Sequence, residues 1–168
     1  MISIIVNHWV LMLCCVFPLW FLQNCIHELS HGLTLYSSGC RFKIVPYPSK
    51  YNKKWYFAIC HWTKWANPSN NMIALMNIMP RISNFVFIAL SYILMFSIQN
   101  QYLSSILFVF VLCNLVDFCT GLIPIFSSSP KKTTDIWRFL EKTSYSKNTV
   151  KVTGIIILAL LHLPLWFI

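Results

Sequence analysis

Long apolar stretches alternate with short polar segments along this chain, and four of the stretches are long enough to cross a bilayer, whose core takes about 20 helical residues. The apolar run from Met72 is interrupted by Pro80-Arg81. Because arginine is costly at mid-bilayer, we predict a span that starts after Arg81, with Arg81 at the interface and Met72–Met79 near the membrane surface. The predicted spans are 2–31, 82–98, 103–126 and 152–168.

The connection after the first span is rich in aromatic and β-branched residues. Its segments 41–46 and 54–62 have strand-like composition, and the turn-prone stretch 47–52 separates them. This pattern predicts a β-hairpin. The expected fold is therefore an all-α membrane protein of about four transmembrane helices, with a small β-hairpin or irregular loop after the first, in one domain over 1–168.

The composition supports lipid as the main solvent of the chain. Hydrophobic residues make up 57% of it, charged residues only 10%, and the mean hydropathy is +0.63. Soluble domains are closer to one quarter charged. A chain this apolar could not cover its surface with polar groups, so we expect an integral, multi-pass membrane protein.

The positive charge is concentrated in two connections. The chain has 13 Lys and Arg against 4 Asp and Glu, with six basic residues between Arg41 and Lys64 and six between Lys131 and Lys151. Such clusters beside spanning helices follow the positive-inside rule and suit an anionic lipid surface rather than nucleic acid. We expect both basic loops on the cytoplasmic side of a cell membrane, such as a bacterial inner membrane.

One short motif carries recognisable chemistry. His27-Glu28-Leu29-Ser30-His31 is an HExxH at the end of the first span. On a helix, residues four apart share a face, so His27 and His31 can bind one metal ion, with Glu28 beside it as a general base. Zinc suits this motif, because it activates water for attack on an amide carbonyl.

A catalytic zinc also needs a third protein ligand and an open position. The candidates are Asp117, inside the third span, and Asp135, in the second basic loop. The charge-derived topology puts both on the side of His27 and His31. Asp117 lies about 21 Å along a core of roughly 30 Å, a depth that could match His27. Asp135 requires the chain after Pro124 to fold back, so geometry slightly favours Asp117.

These motifs resemble the site-2 protease family of intramembrane metalloproteases. That family carries HExxHG on an early membrane helix, matched here by His27–Gly32. A hairpin-bearing loop and a proline-marked segment follow, similar to Met79-Pro80-Arg81. A later helix ends in Asn-x-x-Pro followed by Asp-Gly, and the nearest segments are Gly121-Leu-Ile-Pro124 and Asp135-Ile136-Trp137.

The resemblance implies a function as well as a fold. It makes Asp135 the third ligand of one catalytic Zn²⁺, with His27 and His31 as the other two and Glu28 as the base. The implied activity is a zinc metalloendopeptidase that acts in regulated intramembrane proteolysis. Its implied substrate is a membrane protein whose spanning segment is locally unwound.

Two departures from the family pattern keep a rival hypothesis open. Gly121 replaces asparagine and Ile136 replaces glycine. A catalytically inactive relative could bind metal or a partner as an adaptor or immunity protein. A zinc transporter is a weaker alternative, because the histidines and carboxylates form no chain across the bilayer.

Overall fold

The computed structural model describes residues 2–46, 49–51, 54–56, 58–98, 100–127 and 134–166. Helices dominate it, and a short 3₁₀ turn follows the last of them. The helices are α1 (Ile2–Tyr36, with a kink at His8), α2 (Asn70–Ser97), α3 (Gln101–Phe126), α4 (Asp135–Lys142) and α5 (Lys147–His162).

Three of the described helical stretches are long and apolar enough to cross a membrane: Asn7–Tyr36, Asn70–Ser97 and Gln101–Phe126. Many apolar side chains of α1 point outward, among them Leu13 and Phe17, which are 64% and 61% exposed. Such faces suit lipid rather than water. Residues 152–166 of the fourth predicted span, 152–168, fall on α5, which has 16 residues, and on the turn after it, and the last two lie outside the described residues. A crossing by this segment stays a prediction.

The helix that contains the second predicted span begins earlier than the sequence predicted. The helix α2 begins at Asn70, with Ser69 as its N-cap, and continues through Pro80. Proline inside a helix removes one backbone hydrogen bond without ending the helix when neighbouring groups compensate. Arg81 is only 7% exposed and pairs with Asp117 of α3; its predicted position at the membrane interface stays a prediction. Pairing with a carboxylate lowers the free-energy cost of burying an arginine, a cost that is much higher for an unpaired one.

The connection between α1 and α2 forms strands, as predicted, but in two separate pairs. Strands β1 (Arg41–Val45) and β4 (Ile59–Lys64) are antiparallel, with Ile44 opposite Cys60. Between them, β2 (Ser49–Tyr51) pairs with β3 (Lys54–Tyr56). The predicted second strand, 54–62, is therefore divided between β3 and β4. The β1–β4 pair contacts the end of α1.

Helices α1, α2 and α3 contact one another, and apolar clusters fill the spaces between the helices. One cluster joins α2 and α3 to α5, and another fastens α4 onto α3. The first contains Ile88, Tyr92, Met95, Phe108, Val111, Leu115 and Leu161, and the second contains Phe118, Leu122, Ile125 and Ile136. Because α4 is held in this way, its first residue is fixed beside the C-terminal part of α1.

Candidate metal centre

The two histidines of the HExxH motif lie on one face of α1, as the four-residue spacing predicts. Their ring centroids are 5.1 Å apart and the rings meet edge to face. Both side chains are largely buried, with 15% exposure at His27 and 12% at His31. Each ring therefore has two nitrogens whose partners come from neighbouring helices rather than from water.

Asp135 approaches both histidines from α4. Its Oδ2 lies 3.4 Å from Nε2 of His27 and 3.4 Å from Nε2 of His31. The chain after α3 folds back to place it there, and the next residue, Ile136, is 2% exposed within the apolar cluster that anchors α4. Asp135 is also the first residue of its helix, where the helix dipole favours a carboxylate.

The other ring nitrogen of each histidine, Nδ1, contacts a group on a neighbouring helix. Nδ1 of His27 lies 2.9 Å from Oδ2 of Asp117, on α3. Nδ1 of His31 lies 3.0 Å from the carbonyl oxygen of Met76, on α2. The two candidate aspartates therefore both contact His27, but at different nitrogens, and only Asp135 reaches His31 as well.

The spacing of the inner atoms fits a metal ion. The ligand atoms of His27, His31 and Asp135 all lie within 4.8 Å of one another, and the three residues could hold one ion. With bonds of 2.0–2.1 Å, two ligands of a tetrahedral ion are about 3.3 Å apart, close to the observed 3.4 Å between nitrogen and oxygen. Two imidazoles and one carboxylate also form a donor set found at catalytic zinc sites.

Asp135 is suited to ligation by its charge state. Burial opposes ionisation of its carboxyl group, but contacts with His27 and His31 outweigh that penalty, so the pKa of Asp135 lies well below its usual range. When both Nδ1 atoms carry a proton, each Nε2 can meet the Asp135 carboxylate in one of two ways: it carries a second proton, or it binds a cation that the carboxylate also binds. Protons and a metal ion therefore compete for this position.

Glu28 lies beside the histidines and is oriented by β4. Its Oε2 accepts a hydrogen bond of 2.9 Å from the backbone N–H of Cys60. The sheet can approach this closely because Gly32 has no side chain: a Cβ there would overlap the ring of Phe42, on β1. The glycine after the HExxH motif thus allows β1 and β4 to cover the end of α1.

The thiol of Cys60 also faces this region. Burial, followed by the nearby Glu28 carboxylate, raises the pKa of the Cys60 thiol to about 12. At neutral pH this side chain is a neutral thiol, and thiolates are the form that binds metals.

These side chains line one cavity of about 440 Å³. Arg81, Arg138 and Trp62 lie on its wall together with His27, Glu28, His31 and Asp135. The cavity is larger than an ion and its water need, so it has room for part of a polypeptide.

A hydrogen-bond network between α2 and α3 holds Asp117, the residue that contacts Nδ1 of His27. Arg81 and Asn84 donate to Oδ2 of Asp117 over 2.8 and 2.7 Å, and Arg81 also donates to the Asp117 carbonyl oxygen. Gln23 of α1 donates to Oδ1 of Asn84 over 3.5 Å. The sequence did not lead us to Arg81, Asn84, Gln23 or Cys60. For the first two, a signal was present: polar residues three positions apart in an otherwise apolar helix usually have a function.

Comparison with known proteins adds nothing to these observations: no protein-family model, curated protein or solved structure matches the chain.

Proposed function

We propose that this protein is an intramembrane zinc metallopeptidase. The observation that carries the proposal is that Asp135 and both motif histidines converge on one point, with Glu28 in the same cavity. In sequence the aspartate is more than a hundred residues from the histidines, so their meeting is a property of the fold. The resemblance of the motifs to the site-2 protease family points the same way.

In this proposal His27, His31 and Asp135 hold one Zn²⁺. When bound, zinc supplies a water activated for attack on an amide carbonyl at neutral pH. Glu28 accepts the proton of that water at its carboxylate and gives it to the leaving amine. The Cys60 N–H, bonded to one Glu28 oxygen, keeps the carboxylate in place for both transfers.

The proposed substrate is the membrane-spanning segment of another protein. The residues that line the cavity lie on all three apolar helices, on β4 and on the short helix α4 that packs against the bundle. A polypeptide that reaches this depth from the side must cross lipid, where an unpaired backbone is costly. A spanning helix meets this condition, and it must unwind locally before its carbonyls are open to attack.

We propose that the site faces the cytoplasm of a cell such as a bacterium. The basic residues of β1, such as Arg41 and Lys43, and those of α4, Arg138 and Lys142, belong to segments at the end of the bundle that contains the site. Positive charge is concentrated on the cytoplasmic side of membrane proteins. The same residues offer a surface for anionic lipid.

The rival function is a metal-binding adaptor that does not cut. The two departures from the family motif favour it, and both have structural counterparts here: Gly121 contacts Arg81, and Ile136 is part of the apolar core. Neither substitution removes a residue that lies at the point shared by His27, His31 and Asp135. We therefore prefer the enzyme.

The test compares wild type with Glu28→Gln in a host cell by mapping new protein N-termini in the membrane fraction. We expect wild type to create termini within or beside spanning segments. Loss of a general base slows cleavage by about 10²–10⁴-fold, so Glu28→Gln should not create them, although it should bind zinc as wild type does. Identical termini in both samples would remove the protease proposal and leave the adaptor.

A further inference from the structure

The hydrogen-bond partner of Nδ1 in each histidine determines that Nε2 is the nitrogen that faces the metal position. For His31 the partner is the Met76 carbonyl oxygen, at 3.0 Å. A carbonyl can only accept a hydrogen bond, so Nδ1 carries a proton, and in the neutral ring Nε2 is the nitrogen whose lone pair faces the position shared with Asp135. The orientation of His31 therefore depends on a backbone oxygen of α2.

Pro80 explains why that oxygen is open to a side chain. In a regular helix the Met76 carbonyl accepts from the N–H four residues later, and that residue is Pro80, which has no N–H. The proline ring also crowds the same carbonyl and turns it away from the helix axis. His31 takes the place of the missing donor.

For His27, Asp117 is the hydrogen-bond partner that determines the orientation of the ring. One oxygen of its carboxylate, Oδ2, receives Nδ1 of His27 at 2.9 Å, Arg81 at 2.8 Å and Asn84 at 2.7 Å. Arg81 and the Asn84 amide nitrogen can only donate, so this oxygen is an unprotonated acceptor. His27 must then donate from Nδ1, and in the neutral ring its Nε2 lone pair also points to the shared position.

Space for Arg81 is provided by Gly121, one helical turn after Asp117. A Cβ at this position would overlap the guanidinium group of Arg81. Glycine therefore stands here, where the related motif has asparagine, because a buried arginine occupies the volume of that side chain. The glycine that departs from the motif is therefore what allows Arg81 to be buried, at 7% exposure.

We propose that Pro80, Arg81 and Asn84 of α2 are positioning residues that act through the Met76 carbonyl and through Asp117 to fix Nε2 of both histidines toward one metal ion. This inference rests on the proposed zinc function. Three residues within one short stretch of α2 thus control the tautomer of both metal-binding rings, although none of them is a ligand. Outer partners of this kind typically contribute 10–100-fold to metal affinity.

The test measures the zinc affinity of the purified full-length protein in detergent, by competition with a chromophoric chelator. Asp117→Asn keeps the shape of the side chain but removes the charge, and Gly121→Ala displaces Arg81 without removing any polar group. We expect each to weaken zinc binding by about 10–100-fold and to change the visible spectrum of the cobalt-substituted protein. Asn114→Ala is the control, because Asn114 is buried on α3 but bonds only to Phe110 among the described residues.

Pro80→Ala separates positioning from a merely structural role. It restores the N–H that competes with His31 for the Met76 carbonyl, so we expect zinc binding to weaken by about 10-fold. The melting temperature should stay the same or rise, because alanine favours the helix interior. A structural proline would instead change stability and zinc affinity together.

Two results would count against the inference in different ways. If wild type binds zinc but Asp117→Asn and Pro80→Ala bind it equally well, with unchanged cobalt spectra, the positioning role is excluded and the enzyme proposal stands. If wild type itself binds no zinc, both are excluded. Since Pro80→Ala is not expected to destabilise the fold, it gives a decision even if Gly121→Ala does not fold.

Discussion

The half of the bundle around Tyr92 and the half around Asp117 share helices α2 and α3 but are held together in different ways. Around Tyr92, apolar side chains such as Ile88 and Phe108 fill the space, and the Tyr92 hydroxyl donates to the Leu161 carbonyl over 3.0 Å. Around Asp117, directed hydrogen bonds from His27, Arg81 and Asn84 meet at one oxygen. The packing of the first half depends on the volume of its side chains, and the hydrogen-bond network of the second half depends on the identity of each residue.

This difference shows where stability and function separate. Apolar packing tolerates substitutions that preserve volume. A buried polar network does not, because the loss of one member leaves the others without partners. Substitutions in the Asp117 half should therefore change metal binding, and substitutions in the Tyr92 half should change the free energy of unfolding.

The largest effect is expected for Asp135→Ala. If Asp135 is a ligand, zinc affinity should fall by more than the roughly 10–100-fold that outer partners contribute. Isothermal titration of zinc into the chelator-treated protein measures this. Glu141→Ala is the matched control, since Glu141 is an exposed carboxylate on the same short helix. A loss no greater than that of the control would mean that Asp135 is not a ligand.

Gly32→Ala should reduce cleavage by about 10-fold. The new methyl group displaces the Phe42 ring and with it the sheet, so Glu28 loses the Cys60 N–H, and a hydrogen bond to a charged group contributes about 1.5–3 kcal/mol. Zinc affinity should hardly change, because Glu28 is not a ligand. The double variant Gly32→Ala/Phe42→Ala removes the clash and should recover most of the activity; no recovery would contradict this account of the glycine.

In the apolar half, Ile88→Ala should lower the free energy of unfolding by about 2 kcal/mol and leave zinc affinity unchanged. Ile88 is fully buried, and the value is at the low end for such cavities, because lipid already solvates apolar groups in the unfolded state. Unfolding in mixed micelles measures the change, with Ile88→Leu as the volume-preserving control. A large loss of zinc affinity in Ile88→Ala would show that the two halves are coupled.

The smallest effect concerns Cys60 in the zinc-free protein. Its raised pKa, about 12, means that little thiolate forms at pH 8, so alkylation by iodoacetamide should be slow. Glu28→Gln removes a negative charge that raises this pKa, so more thiolate forms at pH 8 and alkylation should become faster. Mass spectrometry of the labelled peptide reports the rate, and Cys14, an exposed cysteine, should not respond. An unchanged rate would place the Glu28 charge away from Cys60.

The local parts of the site could be predicted from the sequence, and the distant contacts could not. His27, Glu28 and His31 share one helix, so their spacing alone predicts a common face. Asp117 and Asp135 both remained candidates, since the choice depends on how α3 and α4 pack beside α1. In the structure both are used: Asp135 reaches the inner nitrogens and Asp117 an outer one.

The fold was predictable to a similar degree. Apolar runs predicted the long helices and the strand-like connection, but the position of Pro80 misled us about where α2 begins. The cost of an arginine in a membrane was judged for an unpaired residue, and its partner, Asp117, is on another helix. Pairing across helices offsets that cost, and no local pattern in α2 reveals the partner.

The central claim is that His27, His31 and Asp135 bind one zinc ion. X-ray absorption at the zinc edge of the purified protein, together with its zinc content, tests this most directly. We expect one zinc per chain, surrounded by nitrogen and oxygen atoms at about 2.0–2.1 Å, with two imidazoles in the signal that are lost in His27→Ala/His31→Ala. A protein without zinc, or zinc bound by sulfur at about 2.3 Å, would contradict the claim.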